Sequence, residues 1–150
     1  MLTCIFTRCT FVHMEYQTIS KTFRQLIVWR EAHQLTLMVY RATQSFPTDE
    51  RFGIISQLRR ATSSIGAQIA EGSQMPSKQH RKLYYDRSYA SAAEVDNFLE
   101  LSKDLGYLAT DLYKNLLAQL NRVSFLLSRL SQSQQTSLTQ RTPPTKPTQP

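Results

Sequence analysis

The near absence of helix-breaking residues between Phe23 and Leu130 is the feature that most constrains the fold of this chain. Four of the six prolines fall in the last eight residues, and the whole sequence contains only four glycines. Proline and glycine are the residues that interrupt helices most strongly. The sequence therefore favours an all-α domain.

Apolar residues recur at spacings of three and four along four segments, which indicates one buried stripe on each of four helices. We predict helices over residues 23–46, 51–71, 78–105 and 111–130, with Pro47, Gly72 and Gly106 closing the first three. The predicted stripes are Val28, Ala32, Leu35, Val39, Ala42 and Phe46; Ile54, Leu58, Ala61, Ile65 and Ile69; Tyr84, Ser88, Ser91, Val95, Phe98, Ser102 and Leu105; and Leu112, Leu116, Leu120, Val123, Leu127 and Leu130.

Short links between the four helices make neighbours antiparallel, so we expect an up-down-up-down four-helix bundle over residues 21–131. Residues 1–20 are expected to be a disordered extension or an incorrectly assigned start, with Met14 as the alternative first residue. Residues 132–150 are rich in Ser, Thr, Gln and Pro and are predicted to be a disordered tail.

Arg59 and Arg60 are unusual because they interrupt a helix that otherwise packs. With Leu58 facing the core, Arg59 lies at the edge of the stripe and Arg60 lies nearly opposite it. The face of Arg60 also carries Gly53, Ser64, Ala67 and Glu71. Because small residues permit close approach, we predict a contact with a neighbouring subunit and an inter-subunit or inter-helix network of Arg60 with Glu71. The alternative is a solvated face with ordinary ion pairs, which contribute little.

Three segments carry a family resemblance: LIVWREA, SFPTDERFGIISQLRRATSSIGAQIAEG and SAAEVDNFLELSKDLGYL. In order and spacing they resemble the small bacterial four-helix bundle family of 23S rRNA intervening-sequence proteins and of accessory variability determinants of diversity-generating retroelements. Gln68 and Ala90 depart from the family pattern, which usually has Asn and Gly there. The positions that match are Trp29, Phe46, Pro47, Gln57, Arg59, Arg60, Ser64, Ile65, Ile69, Glu71, Gly72, Ser91, Glu94, Gly106 and Tyr107.

The resemblance implies a homopentameric barrel. It also implies, for retroelement members, binding of nucleic acid and of a reverse transcriptase, whereas the intervening-sequence members have no established activity. On this basis, structural or oligomer-forming roles fall on Trp29, Arg59, Arg60, Ser64, Glu71 and Glu94.

The charge balance points to a polyanionic partner, because 18 Lys and Arg stand against 11 Asp and Glu. The segment SKQHRKLYYDR places cations beside Tyr84 and Tyr85, a combination that suits RNA phosphates and unstacked bases. Alternatively, Tyr84 belongs to the core and the charges are only solvated. The candidate nucleic-acid contacts are Arg24, Arg30, Arg41, Arg51, Lys78, Arg81, Lys82 and Arg87.

No pattern in the sequence indicates catalysis. His13, His33 and His80 fall on no metal-ligand spacing, and neither a phosphate-binding glycine loop nor a serine triad is present. Glu71 and Glu94 could face inward, but paired carboxylates of this kind are more often structural. We therefore expect a non-enzymatic protein without a metal or cofactor.

Two functions remain open. The first is an oligomeric accessory protein that binds RNA or DNA and serves a reverse transcriptase; the alternative is an interaction scaffold that binds no nucleic acid. A membrane role is less favoured, because the apolar stripes suit a bundle interior and no lipidation signal is present. Cys4 and Cys9 form no disulfide framework, and residues 1–12 make a poor signal peptide, so a cytoplasmic location is expected.

Overall fold

The computed structural model describes residues 21–139, so the prediction for residues 1–20 and that for residues 140–150 lie outside it. A helical turn precedes four long helices, and this part of the chain contains no strand. The elements are α1 (Lys21–Arg24), α2 (Ile27–Ala42), α3 (Ile54–Gln74), α4 (Lys78–Asp104) and α5 (Thr110–Thr139). Helix α3 packs on α2 and α4, and α5 packs on α4 and α2, so the long helices form a ring of antiparallel neighbours. The all-α four-helix prediction is confirmed; the pentamer stays a prediction.

The predicted stripes of the first two long helices are buried at every position, including Phe46 beyond the end of α2. In α4 the predicted stripe is partly wrong, because Tyr84, Ser91 and Phe98 are only half-buried and Leu105 is exposed. Leu112, at the start of α5, is also more exposed than predicted. The buried residues of α4 are Tyr85, Ser88, Ala92, Val95, Leu99 and Ser102.

The connection between α2 and α3 consists of two 3₁₀ turns, Thr43–Ser45 and Thr48–Arg51, so α3 begins three residues later than predicted. The Glu50 carboxylate accepts the Ile54 N–H at 3.0 Å and satisfies one of the free donors at the start of α3. The ring of Phe46 packs 5.5 Å from that of Tyr107, which follows α4. At this end of the bundle, the connection therefore contacts both the start of α3 and the residues that follow α4.

Two glycines near helix ends have different roles. Gly106 has φ +75 and ends α4, as predicted, since its N–H reaches the Lys103 carbonyl at 2.9 Å in a left-handed conformation that glycine adopts without strain. Gly72, in contrast, lies inside α3, which continues to Gln74. A Cβ at Gly72 would lie 2.8 Å from Tyr85 Cε1 and 2.9 Å from Tyr84 Cβ. Gly72 therefore permits the close approach of α4 rather than stopping the helix.

Helix α5 runs to Thr139, so the predicted start of the tail at residue 132 is wrong for residues 132–139. Neither glycine nor proline occurs in this stretch, and adding a residue to an existing helix is much easier than starting a new one. Gln134 is also held in place, because its side-chain carbonyl accepts a hydrogen bond from Arg81 Nε at 3.2 Å. Over residues 21–139, no helix has both the length and the apolar run that crossing a membrane would require.

Candidate nucleic-acid interface

Arg59 connects α3 to the end of α2. Its Nε donates to Thr43 Oγ1 at 2.8 Å, and its guanidinium carbon lies 4.8 Å from the centre of the Tyr40 ring. Thr43 is buried and donates in turn to the Val39 carbonyl at 2.9 Å. An arginine that stacks on an aromatic ring and donates to a buried hydroxyl contributes packing contacts as well as a hydrogen bond. Arg59 is thus positioned as a structural residue.

Arg60 connects α3 to α4 through Glu94. Its Nη2 lies 2.7 Å from Glu94 Oε1 and also donates to Gln57 Oε1 at 3.0 Å. The predicted inter-helix network therefore holds for Arg60 but does not include Glu71, which is exposed and forms no ion pair with the side chains of residues 23–135. The inter-subunit form of the network stays a prediction. Arg60 lies about three turns nearer the start of α3 than Glu71, level with a different part of α4.

The small residues on this side of α3 form a close seam with α4 of the same chain. The Ser64 and Ser91 hydroxyls are 3.1 Å apart, and Ser88 Oγ donates to the Ile65 carbonyl at 3.0 Å. Because these residues are small, the two backbones approach closely, as Gly72 also shows. The seam explains Ser64 without a second subunit, and a contact with another subunit stays a prediction.

Ser64 and Ser91 are the central residues of α3 and α4, so their contact divides the bundle into two halves. We define the basic half as residues 23–34, 65–90 and 125–135, and the neutral half as residues 35–64 and 91–124. The neutral half has seven basic and seven acidic residues, whereas the basic half has seven basic residues and only Glu31, Glu71 and Asp86 as acids. The net positive charge of the described side chains therefore lies at one end of the molecule.

The eight predicted nucleic-acid contacts do not form one cluster. Arg41 and Arg51 lie in the neutral half, and the other six lie in the basic half. The 21-residue α3 separates Arg51 from Lys78 by about 30 Å. A single short segment of nucleic acid would thus contact only one of the two groups.

Within the basic half, the six candidate contacts differ in their exposure and in their interactions with the rest of the chain. The exposed members are Arg24, Arg30, Lys78 and Arg87. Arg81 donates to the Met75 carbonyl and to Gln134, and Lys82 Nζ lies 2.6 Å from Asp86 Oδ2, so both are already engaged within the chain. Arg87 packs 5.5 Å from the Tyr84 ring, which extends this side chain along the surface.

Asp86 is a residue that the sequence analysis missed. It accepts hydrogen bonds from Lys82 on α4 and, at 2.5 Å, from Ser131 on α5. Partial burial opposes ionisation, but the hydrogen bonds from Lys82 and Ser131 and the Lys82 charge outweigh it, and the pKa of Asp86 is lowered. The carboxylate is therefore ionised at neutral pH and its charge is balanced locally. No sequence signal could reveal Ser131 as a partner, since it lies 45 positions away.

Trp29 is half-buried between α2 and α3. It stacks on His33, with ring centres 5.1 Å apart and an angle of 10° between the planes, and Phe23 meets it edge-on at 5.0 Å. Gly66 lies near the indole nitrogen, since a Cβ at that position would be 3.7 Å from Trp29 Nε1. These contacts fit the structural role expected for Trp29. Among the described residues, no group of three or more His, Cys, Asp or Glu side chains is arranged to hold a metal.

Comparison with known proteins agrees with this architecture. A family model described as "23S rRNA-intervening sequence protein" matches residues 24–129. The structure is also similar to the crystal structure of a protein of unknown function from the S23 ribosomal protein family of Bacteroides thetaiotaomicron VPI-5482. The TM-score is 0.67 and the identity 18%, over 75% of this chain and 99% of the other. No curated protein matches the sequence. At this identity the structural similarity establishes the fold alone.

Proposed function

Since the chain belongs to the 23S rRNA-intervening sequence protein family, we propose that it is a non-enzymatic, oligomeric accessory protein that binds nucleic acid in the cytoplasm. The observation that carries this proposal is that the net positive charge of the described side chains lies in the basic half. Four of the exposed cations there, Arg24, Arg30, Lys78 and Arg87, are predicted contacts and are available to phosphates. Contacts of this kind give affinity that falls with salt and depends weakly on sequence.

Oligomerisation would strengthen binding by such a modest patch. In a ring of identical subunits the basic half recurs once per subunit, so a long nucleic acid could engage several copies at once. The family resemblance favours five copies. Solution mass should then be a multiple of 17.3 kDa, and a monomer at micromolar concentration would contradict this part of the proposal. In its most specific form, the proposed function is assistance to the reverse transcriptase of a retroelement.

Matched charge reversals test the proposal. The double variant Lys78→Glu with Arg87→Glu changes the basic half, and Arg41→Glu with Arg51→Glu makes the same change of net charge in the neutral half. We expect the first variant to weaken binding of single-stranded RNA at least tenfold. The slope of log affinity against log salt concentration should become shallower by roughly 0.7 for each phosphate contact that is lost. The second should change affinity much less.

The alternative function is an interaction scaffold without nucleic-acid binding. Its supporting observation is the cleft between α2 and α3, about 300 Å³ in volume, which is lined mainly by apolar and small residues including Trp29, Ala67 and Ala70. If the wild-type protein binds neither RNA nor DNA at about 50 mM salt, where phosphate contacts are strong, the nucleic-acid proposal fails and the scaffold is favoured.

A further inference from the structure

A second cleft lies between α4 and α5 in the basic half, and none of the functions discussed so far uses it. Its volume is about 320 Å³, near the lower end of the range for small-molecule sites. Leu127, which is fully buried in the bundle core, lines the cleft. Lys82, Asp86 and Tyr89 contribute from α4. Ser128, Ser131 and Gln135 contribute from α5.

The polar groups on one side of the cleft are held in place by the chain itself. Ser131 is 8% exposed and its hydroxyl donates to Asp86 Oδ1, while Lys82 pairs with the other carboxylate oxygen. Each carboxylate oxygen has two acceptor positions, so both can accept a further hydrogen bond. Because Lys82 balances its charge, Asp86 repels an approaching phosphodiester less than an unpaired carboxylate would.

Tyr89 lies one turn beyond Asp86 on the same side of α4, where residues three apart are neighbours. Its side chain is 48% exposed, so part of its ring is accessible. Aromatic surfaces stack on unstacked bases, and carboxylates accept from the amino group of cytosine. The cleft thus combines an apolar lining, an aromatic ring and a fixed acceptor.

We propose that this cleft binds one unstacked, amino-bearing base of single-stranded nucleic acid, with Tyr89 as the stacking surface and Asp86 as the acceptor. This inference rests on the proposed function and names the element of the nucleic acid that the basic half recognises. A base fits better than a phosphate, because the Lys82–Asp86 pair carries no net charge. It also fits better than an extended peptide, because both walls are helices and offer no strand edge for pairing.

Short cytidine and uridine RNA oligomers test the inference with the full chain. The two pyrimidines have rings of the same size, but only cytosine carries the amino group. We expect the wild type to bind the cytidine oligomer several-fold more tightly in fluorescence anisotropy. Tyr89→Ala should weaken this binding about tenfold, the size of one lost stacking contact. Tyr89→Phe keeps the ring and should retain affinity, and Asp86→Ser should remove the preference for cytidine.

Tyr40→Ala is the matched control, since Tyr40 is 44% exposed and lies in the neutral half. If the wild type binds the oligomers but Tyr89→Ala matches it and cytidine has no advantage, the cleft proposal is overturned while the proposed function stands. If the wild type binds no nucleic acid, both are overturned. Photo-crosslinking of 5-iodocytidine RNA to the wild type avoids any folding defect. Crosslinks within residues 82–89 or 127–135 support the site, and crosslinks only elsewhere refute it.

Discussion

The Arg60 guanidinium lies 2.7 Å from the Glu94 carboxylate, and this ion pair joins the middle helices α3 and α4 on the outer surface of the bundle. The arginine side chain is 65% exposed and the glutamate 36%. The same arginine also bonds to Gln57 one turn earlier. Two conspicuous charged residues of the family pattern are thus satisfied within one chain, at a solvated position.

Removing this ion pair should cost little stability. We expect Arg60→Ala and Glu94→Ala each to lower the free energy of unfolding by less than about 1 kcal/mol, because exposed pairs are screened by water and salt. Urea unfolding of both variants and of the double variant measures the coupling, which we expect below about 0.5 kcal/mol. A loss above about 2 kcal/mol that shrinks as the protein is diluted would instead place Arg60 in a subunit interface, because dilution removes the contribution of subunit contacts from both proteins.

Gly72 and Gly66 are two glycines of α3 whose replacement by alanine should have opposite effects. Alanine favours a helix over glycine by about 1 kcal/mol. At Gly66 the added Cβ would lie 3.7 Å from Trp29 Nε1, an ordinary contact, so Gly66→Ala should stabilise the protein by up to about 1 kcal/mol. At Gly72 it would meet Tyr84 Cβ at 2.9 Å, and that atom moves only with the α4 backbone.

We therefore expect Gly72→Ala to destabilise the bundle by about 1–3 kcal/mol despite the better helix propensity. Thermal and urea unfolding of the two variants provide the comparison. Equal stabilisation by both substitutions would mean that α4 does not approach α3 as closely at this end as the structure has it.

Gln68 is a residue at which the sequence departs from the family pattern, and its side-chain oxygen is buried without a hydrogen-bond partner among the described residues. A buried polar atom without a partner costs about 1–3 kcal/mol. Replacement by methionine, which has a similar length and no such atom, should raise the free energy of unfolding by about 1 kcal/mol.

Gln57→Met is the control for this substitution. Gln57 accepts two hydrogen bonds from Arg60, so the same change should leave stability unchanged or slightly lower. Urea unfolding is again the measurement. A loss of stability in Gln68→Met would show that the amide makes a favourable interaction in solution.

The sequence predicts the cores of α2 and α3 well because each stripe position carries a residue whose burial is unambiguous. In α4 the outcome differs, since small and polar residues occupy many positions and two stripes offset by one residue have the same spacing. Tyr84 and Tyr85 illustrate this, as only packing against α3 determines that Tyr85 is the buried one. Periodicity locates a helix here but leaves its rotation open.

The candidate site was harder to predict because it depends on topology. Composition identified the cations, but their division between two ends follows from the helix order, which separates Arg51 from Lys78 by the length of α3. Arg59 bonds to Thr43, and Asp86 bonds to Ser131 as well as to Lys82 of its own helix. Thr43 and Ser131 each lie outside the helix of the residue that they contact. Contacts of this kind are invisible to periodicity.

The pH dependence of stability should report the environment of Asp86. Its pKa is lowered in the folded protein: partial burial opposes ionisation, but the hydrogen bonds from Lys82 and Ser131 and the Lys82 charge outweigh it. A group with a lowered folded pKa stabilises the protein above its unfolded pKa, and this contribution is lost as the pH falls through the folded value. The side chain is about half exposed, so we expect a contribution below about 1 kcal/mol.

Asp86→Asn removes the titrating group and keeps the shape, so wild type and variant should differ at neutral pH and converge in acid. Urea unfolding of both proteins between neutral pH and about pH 3 gives this difference curve, and NMR titration of the Asp86 carboxyl gives its pKa directly. Asp111→Asn is the control, because Asp111 is exposed at the start of α5 and forms no ion pair with the described side chains. A difference for Asp86→Asn that persists or widens in acid would contradict the ion pair with Lys82 and the hydrogen bond from Ser131.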